Sequence, residues 1–272
     1  MELFRRYYKK SNILFFMITE LYWNGLLALP SLCMYLFDNR TMGLYSGLAC
    51  VAFGQCWTVL YFLSELSSES IHKTYPAIVS HFTNVEGFVL LGSYLSVSWY
   101  GRWLPSSYYL STRAVDWTDV WWQLCIQDAL QYAMHRLEHI YRPWYRKSHQ
   151  YHHVHIRPRI FDAFDGAILD TISMILIPLW ITAQCVHTNT ESYMAFGLFY
   201  SVWLTLIHSD VPHSWEIQWA LPMGIGTSLD HQIHHKFFKY NYGHLFMYWD
   251  YLMGTYKSPL SSAPKAPTQS SS

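Results

Sequence analysis

The sequence predicts an all-α, polytopic membrane protein in which four to six apolar helices carry a histidine-rich cap on their cytoplasmic side. Three observations predict it. With 51% hydrophobic and 13% charged residues over 272 positions, the chain has the composition of either one large domain or a compact membrane protein. Several apolar runs approach the roughly 20 residues that a spanning helix needs. Histidines recur at helical spacing beside the later runs.

Residues 13–37 and 44–63 are the clearest candidate spans. Residues 87–100 are strongly apolar and extend backward to Ala77 only by including His81, Asn84 and Glu86. Residues 120–133, 167–186 and 192–207 complete the set, the first and last being short enough to be partly interfacial. Basic residues test this order independently. If the N-terminus is cytoplasmic and six segments alternate, 15 of the 18 Lys and Arg fall on the cytoplasmic side, and only Arg40, Arg102 and Arg113 fall opposite. This is positive-inside asymmetry, and it puts every histidine box on the cytoplasmic face.

The opening MELFRRYYKK is basic but lacks a short apolar region with a small-residue cleavage site, so it reads as a cytoplasmic flank. Cys33, Cys50, Cys56, Cys125 and Cys185 are odd in number and form no CxxC, which argues against a disulfide scaffold or a zinc knuckle. Asn39-Arg40-Thr41 is a glycosylation acceptor held too tightly against the bilayer for use. The sequence divides into one membrane-embedded domain, 1–260, and a Ser- and Pro-rich tail, 261–272, that is expected to be disordered. With a formal net charge of 0, it suggests no nucleic-acid partner.

The histidines carry the chemistry. His135 and His139 are four apart; His149, His152 and His153 follow, and the same HxxHH spacing returns at His231, His234 and His235, with His208 and His213 between. On a helix each set projects from one face. Three boxes supply eight imidazoles and His208 and His213 raise the candidates to ten, more than the three or four ligands of one zinc ion, so a pair of metal ions is implied. Neutral imidazole suits iron, zinc, copper and nickel rather than magnesium or calcium. Soluble di-iron bundles use glutamates with Glu-x-x-His pairs; here Glu138 is the one carboxylate inside a box.

In the order HRLEH, HQYHH, HSDVPH and HQIHH, followed by NYGHLFMYWDYLMGTY, residues 128–256 resemble the fatty acid hydroxylase and sterol desaturase superfamily of integral-membrane di-iron oxygenases. The ending is similar to that of its sterol desaturase branch. The resemblance implies two iron ions that activate O2 and remove hydrogen from an unactivated carbon of a lipid-like substrate, sterol or fatty acyl, giving an alcohol or an alkene. It implies two electrons from a redox partner such as cytochrome b5 or its reductase, or a ferredoxin, because the GxG at Gly224 and Gly226 lacks the rest of a dinucleotide fingerprint. It also implies a site in the endoplasmic reticulum, or in the inner membrane of a bacterium. Lys147, Arg157, Arg159, Lys236 and Lys239 could steer an acidic partner or contact lipid head groups.

Asp128 lies seven residues before His135 and so shares its face, inside an apolar span where an ionisable group is a functional candidate. Metal-bound imidazoles commonly give their second nitrogen to a carboxylate, and Asp128 is the first choice for that role, with a helix-to-helix hydrogen bond as its structural alternative. Asp162, Asp165, Asp170 and Asp230 are weaker choices. Glu138 could equally face water. His72, His81 and His187 read as ordinary loop or interfacial residues, His155 breaks the spacing of its box, and His244 is left out; Pro212 makes His213 a departure from the family pattern. A polytopic metal transporter or metal-binding scaffold is the rival reading, but it would place ligands at the bilayer midplane on broken helices.

Overall fold

The computed structural model describes scattered residues between Leu21 and Leu36, then 40–64, 68–211 and 213–262. The candidate span at 13–37, the glycosylation acceptor at Asn39 and most of the tail therefore fall largely or wholly outside the described residues. The described chain is helical: α1 Arg40–Ser64, α2 Ser68–Thr83, α3 Leu90–Tyr100, α4 Trp117–Ile140, α5 Arg142–Tyr145, α6 Ile168–Cys185, α7 Thr190–Leu206, α8 Ser228–Phe237 and α9 Tyr248–Met253. Among the described residues the one β-like feature is an isolated antiparallel bridge between Ile225 and Phe246.

Two helices, Thr41–Ser64 within α1 and Ile168–Cys185, are long and apolar enough to cross a bilayer. Within the described residues, the expected runs at 87–100, 120–133 and 192–207 are also helical, with altered limits. The run at 87–100 does not continue back to Ala77, because the Asn84 side chain accepts the Gly87 amide and starts a new helix through the π turn Val85–Val89. The run at 120–133 belongs to the 24-residue α4, which starts where Asp116 accepts the amides of Thr118 and Asp119 and carries on through His135 and His139. Its polar stripe, Gln123, Gln127, Asp128 and Gln131, is buried within the helical body.

α7 sits at the centre, with most of its residues buried between α1 and α4. Gly54 of α1 lets the two backbones approach closely: a Cβ there would lie 2.5 Å from Leu198 Cδ1. α6 contains the π turn Ile172–Leu176, followed at once by Pro178. Proline has no N–H to give to the preceding turn, and a one-residue bulge absorbs that defect. The core at this level joins Trp99, Phe164, Leu176, Leu179, Phe196 and Leu204. α4, α6 and α7 thus hold the apolar body together, while α8 and the loops at 141–166 and 207–226 close one end of it.

Candidate metal centre

Each histidine reaches the centre from a different local structure. α4 delivers His135 and His139; a tight succession of turns after α5 delivers His149, and the single 3-10 turn His152–Val154 carries two more. His208 follows the end of α7. α8 brings His231, His234 and His235; it begins with a capping box in which Thr227 accepts the Asp230 amide and Asp230 accepts the Thr227 amide.

Nine of the ten predicted imidazoles converge, in two groups whose ligand atoms lie within 4.8 Å of one another: His135, His139, His149, His153 and His234 in one, His152, His208, His231 and His235 in the other. His213 joins neither. Its ring is buried, stacked on Trp215 at 5.8 Å and tilted over Tyr61. Conversely, His244, left out on spacing grounds, is buried with its ring 4.9 Å from His135 and 5.4 Å from His231, beside both groups. No helical spacing links it to a box; it arrives through the chain's return along α4.

The orientation of the rings fits metal ions. Nδ1 donates to a main-chain carbonyl in His135 (Tyr242 O, 2.8 Å), His152 (Asp165 O, 3.1 Å), His208 (Leu204 O, 2.7 Å), His234 (Tyr240 O, 2.8 Å) and His235 (His155 O, 2.8 Å). That fixes the tautomer and leaves each Nε2 as a lone pair. Yet the Nε2 atoms face one another: His208 is 3.1 Å from His152 and 3.0 Å from His231, and His235 is 3.0 Å from His231. In the other group His153 Nε2 is 3.1 Å from that of His139 and 3.0 Å from that of His234. Facing lone pairs repel unless a cation lies between them. A metal about 2.1 Å from two nitrogens at a right angle sets them about 3.0 Å apart, which is the spacing found. The Nε2 atoms of His135 and His149 have no protein partner.

Electrostatics point the same way. Burial, reinforced by neighbouring imidazoles, holds His153, His231, His234 and His235 well below the ordinary value, His152 down to about 4 and His244 down to about 3. These rings stay neutral and ready to ligate at neutral pH. His149 differs. Burial lowers it too, but the Asp170 carboxylate, 3.0 Å from Nδ1, outweighs burial and raises the ring above its ordinary value.

Asp128 is not the carboxylate that orients a histidine. It accepts the backbone amides of Leu245 (2.7 Å) and Phe246 (3.2 Å), and so fixes the loop that carries His244. The sevenfold spacing put it on the right face of α4, but the returning loop occupies the space between it and the rings. The orienting role falls to Asp170 on His149, with Glu138 Oε2 3.7 Å away. Glu138 is fully buried rather than facing water; it accepts from Trp144 Nε1 and Ser173 Oγ. Its position three residues after His135 was the available signal. Asp165 gives its carbonyl to His152 and its carboxylate to His155, Asp162 pairs with Arg159, and Asp230 caps α8.

A pocket bounded by His149, His152, His208 and His244 also touches Phe164, Ile175 and Leu204. Those three residues equally line an adjoining apolar cavity walled by Gly43, Gly47 and Val51 of α1, Leu91, Leu95 and Trp99 of α3, and Met194 and Gly197 of α7. The histidine pocket and the apolar cavity therefore lie side by side, with Phe164, Ile175 and Leu204 as their common wall.

This arrangement defines a helical protein with two membrane-compatible spans and a buried polyhistidine cage able to hold metal beside an apolar cavity. The family profile described as fatty acid hydroxylase matches residues 120–255, and the chain belongs to that family. Its members are oxygen-dependent hydroxylases and desaturases, and this chain is accordingly an oxidoreductase. It is 42% identical over 254 residues to the alternative squalene epoxidase of Phaeodactylum tricornutum, an alignment covering 85% of this chain and 72% of that one. It is 29% identical over 144 residues to human lathosterol oxidase, covering 53% and 46%, and 28% identical over 138 residues to methylsterol monooxygenase erg25A of Aspergillus fumigatus, covering 49% and 45%. The chain thus spans less than half the length of these two sterol enzymes. No solved structure matches it.

Proposed function

We propose that the chain is a membrane di-iron monooxygenase that transfers one atom of O2 to a double bond of a long, unfunctionalised isoprenoid lipid of the squalene type. The observation that carries this reading is the apolar cavity that adjoins the histidine pocket and shares Phe164, Ile175 and Leu204 with it. Much of its wall, Gly43 to Val51 and Leu91 to Trp99, precedes the family-wide domain. The alignment to the squalene epoxidase leaves 15% of the chain, about 40 residues, uncovered and so has to include these walls; the alignments to the sterol enzymes span only about half the chain.

His135, His139, His149, His153 and His234 would hold one iron and His152, His208, His231 and His235 the other, with His244 beside both groups. The bound pair supplies O2 activation. The chain's own residues do the rest: the cavity strips water from the lipid, its helical walls aim a double bond at the cage, and carbonyls and Asp170 hold the imidazoles in the ligating tautomer. In the balance, one oxygen atom enters the product and the other leaves as water with two protons and two electrons. A redox partner such as cytochrome b5 or a ferredoxin supplies the electrons on the cytoplasmic face. Residence in the endoplasmic reticulum or a bacterial inner membrane belongs to the same reading.

A second reading, hydroxylation or desaturation of a sterol or fatty acyl chain, draws on the NYG to GTY ending and on the sterol enzymes matched. One experiment separates the two. Membranes bearing the protein are given a reductant, 18O2 and either squalene or a sterol. Epoxysqualene carrying one 18O is expected; a desaturated or hydroxylated sterol with no epoxide establishes the second reading.

A further inference from the structure

The C-terminal part of the cage does not sit wholly above the helical body. Residues 219–226 and 245–253 form one unit: Gly226 N donates to Leu245 O (2.8 Å), Met247 N donates to Gly224 O (2.9 Å), and Tyr248 Oη donates to the Met223 carbonyl. Gly224, at φ +69°, lies under the Tyr248 ring, where a Cβ would stand 2.6 Å from Cε1. This unit runs alongside α4. Phe246 takes its amide contact from Asp128 and packs its ring 5.3 Å from Trp121. At 1.5 Å per residue, Asp128 lies about 10 Å and Trp121 about 21 Å along the helix from His135, so the unit reaches far down the apolar length of α4.

Its outer surface is apolar and uncharged. Trp219, Met223, Tyr248, Tyr251, Leu252 and Met253 are all more than half exposed, Leu252 to 73%. Residues 217–229 and 241–256 contain no Lys, Arg or Glu, and their one Asp, Asp250, is fully buried. Even the irregular backbone is shielded from any need for water. Asp250 accepts the amides of Tyr242 (2.9 Å) and Gly243 (2.7 Å), just as Asp128 accepts those of Leu245 and Phe246. Non-helical backbone at membrane depth requires internal partners of this kind. At the unit's rim the character changes: Lys257 Nζ lies 5.2 Å from the Phe237 ring and 5.4 Å from Tyr240, Lys236 lies over Phe237 and Lys239 over Tyr240. Lysines stacked on aromatic rings beside an uncharged apolar face are the arrangement of a head-group boundary. Arg136 of α4 also lies against this C-terminal part: it donates to Tyr132 Oη (3.2 Å), itself 3.0 Å from Thr255 Oγ1.

We propose that the unit of 219–226 and 245–253 is embedded in one leaflet of the bilayer beside α4, its apolar face in the acyl layer and Lys236, Lys239 and Lys257 at the head groups. The cage is thereby fixed to the membrane through its C-terminal arm as well as through the spanning helices, and the buried carboxylates Asp128 and Asp250 are what allow a loop to lie there.

The test places a bimane-labelled cysteine at Leu252→Cys, Met253→Cys or Met223→Cys in the full-length, metal-loaded chain with its five native cysteines replaced, reconstituted in phosphatidylcholine vesicles. Leu60→Cys on α1 serves as a lipid-facing reference and Lys147→Cys as an aqueous one. Nitroxide-bearing lipid is expected to quench the three sites several-fold more than Lys147→Cys, while aqueous iodide quenches them as weakly as Leu60→Cys. Iodide quenching equal to that at Lys147→Cys overturns the proposal. Protection from both quenchers also overturns it, and assigns the face to a protein contact instead.

Discussion

Asp170→Asn is the most informative single substitution in the cage. Asp170 accepts from His149 Nδ1 at 3.0 Å, the one imidazole in the cage whose Nδ1 donates to a carboxylate and not to a main-chain carbonyl. The variant removes the charge that orients the ring and raises its basicity. Loss of such a partner costs about 10- to 100-fold in metal affinity, or about 1.4 to 2.7 kcal/mol. Glu138 Oε2, already 3.7 Å from the same nitrogen, can move in and limit the damage. The single variant is therefore expected near the tenfold end, and Asp170→Asn with Glu138→Gln near the hundredfold end. The assay is chelator titration of purified protein with metal counted by mass spectrometry. One of two metals, the one held by His149, is lost at lower chelator concentration while the other is unmoved. An unchanged midpoint in the double variant refutes the reasoning. Asp128→Asn should do the reverse: it weakens two charge-assisted hydrogen bonds to Leu245 and Phe246, worth about 1.5 to 3 kcal/mol each, so thermal stability falls while the chelator midpoint of folded protein stays put.

The other expectations are briefer. His153→Ala and His235→Ala each remove one metal and abolish turnover, whereas His213→Ala retains both metals, as metal counting will show; a lost equivalent in His213→Ala contradicts its placement on Trp215. Because most cage imidazoles are already neutral at pH 7 and His149 alone among them is raised, metal affinity should fall by about tenfold per pH unit as pH drops through the His149 value, a one-proton slope, where ordinary imidazoles would give a slope of several. Calorimetry in buffers of different ionisation enthalpy reads the same number, and release of three or more protons at pH 7 refutes it. Gly47→Leu should fill the cavity, leaving both metals bound while kcat/KM for a long lipid falls more than for a short one; equal losses would divorce that cavity from the substrate. Gly226→Ala forces a Cβ to within 2.2 Å of the His244 carbonyl and should lower yield and melting temperature together.

Much of the cage was legible because helical spacing is a local property. His135 and His139 on α4, and His231, His234 and His235 on α8, sit as a period of 3.6 demands. Where the chain is not helical, spacing misleads. His149, His152 and His153 lie on turns, yet converge, with the Asp170 carboxylate holding the Nδ1 of His149 and the Asp165 carbonyl that of His152. His213 stands as near to His208 in sequence as a ligand would, but the turn at 207–213 points it at Tyr61 and Trp215. His244 escaped because no helical spacing links it to a box, and Asp170 ranked only among the weaker choices because His149 is 21 residues away; tertiary folding brings both in. Hydropathy located the helices but not their ends: Asn84 and Asp116 set these through caps, which composition does not register.

The π turn Ile172–Leu176 also bears on how the site can change over evolutionary time. It holds one residue more than a regular helix needs over the same rise, so a single-codon deletion there would heal α6 into an unbroken α-helix at little cost to the fold. The deletion would, however, turn everything on its N-terminal side by about 100° relative to the rest. Asp170 would swing away from His149 and Ser173 from Glu138, while Leu179 and Ala183 stayed packed in the core. The bulge thus works as a phase marker between two halves of one helix, and a lineage that lost it would keep its membrane body and lose its grip on a metal in one step.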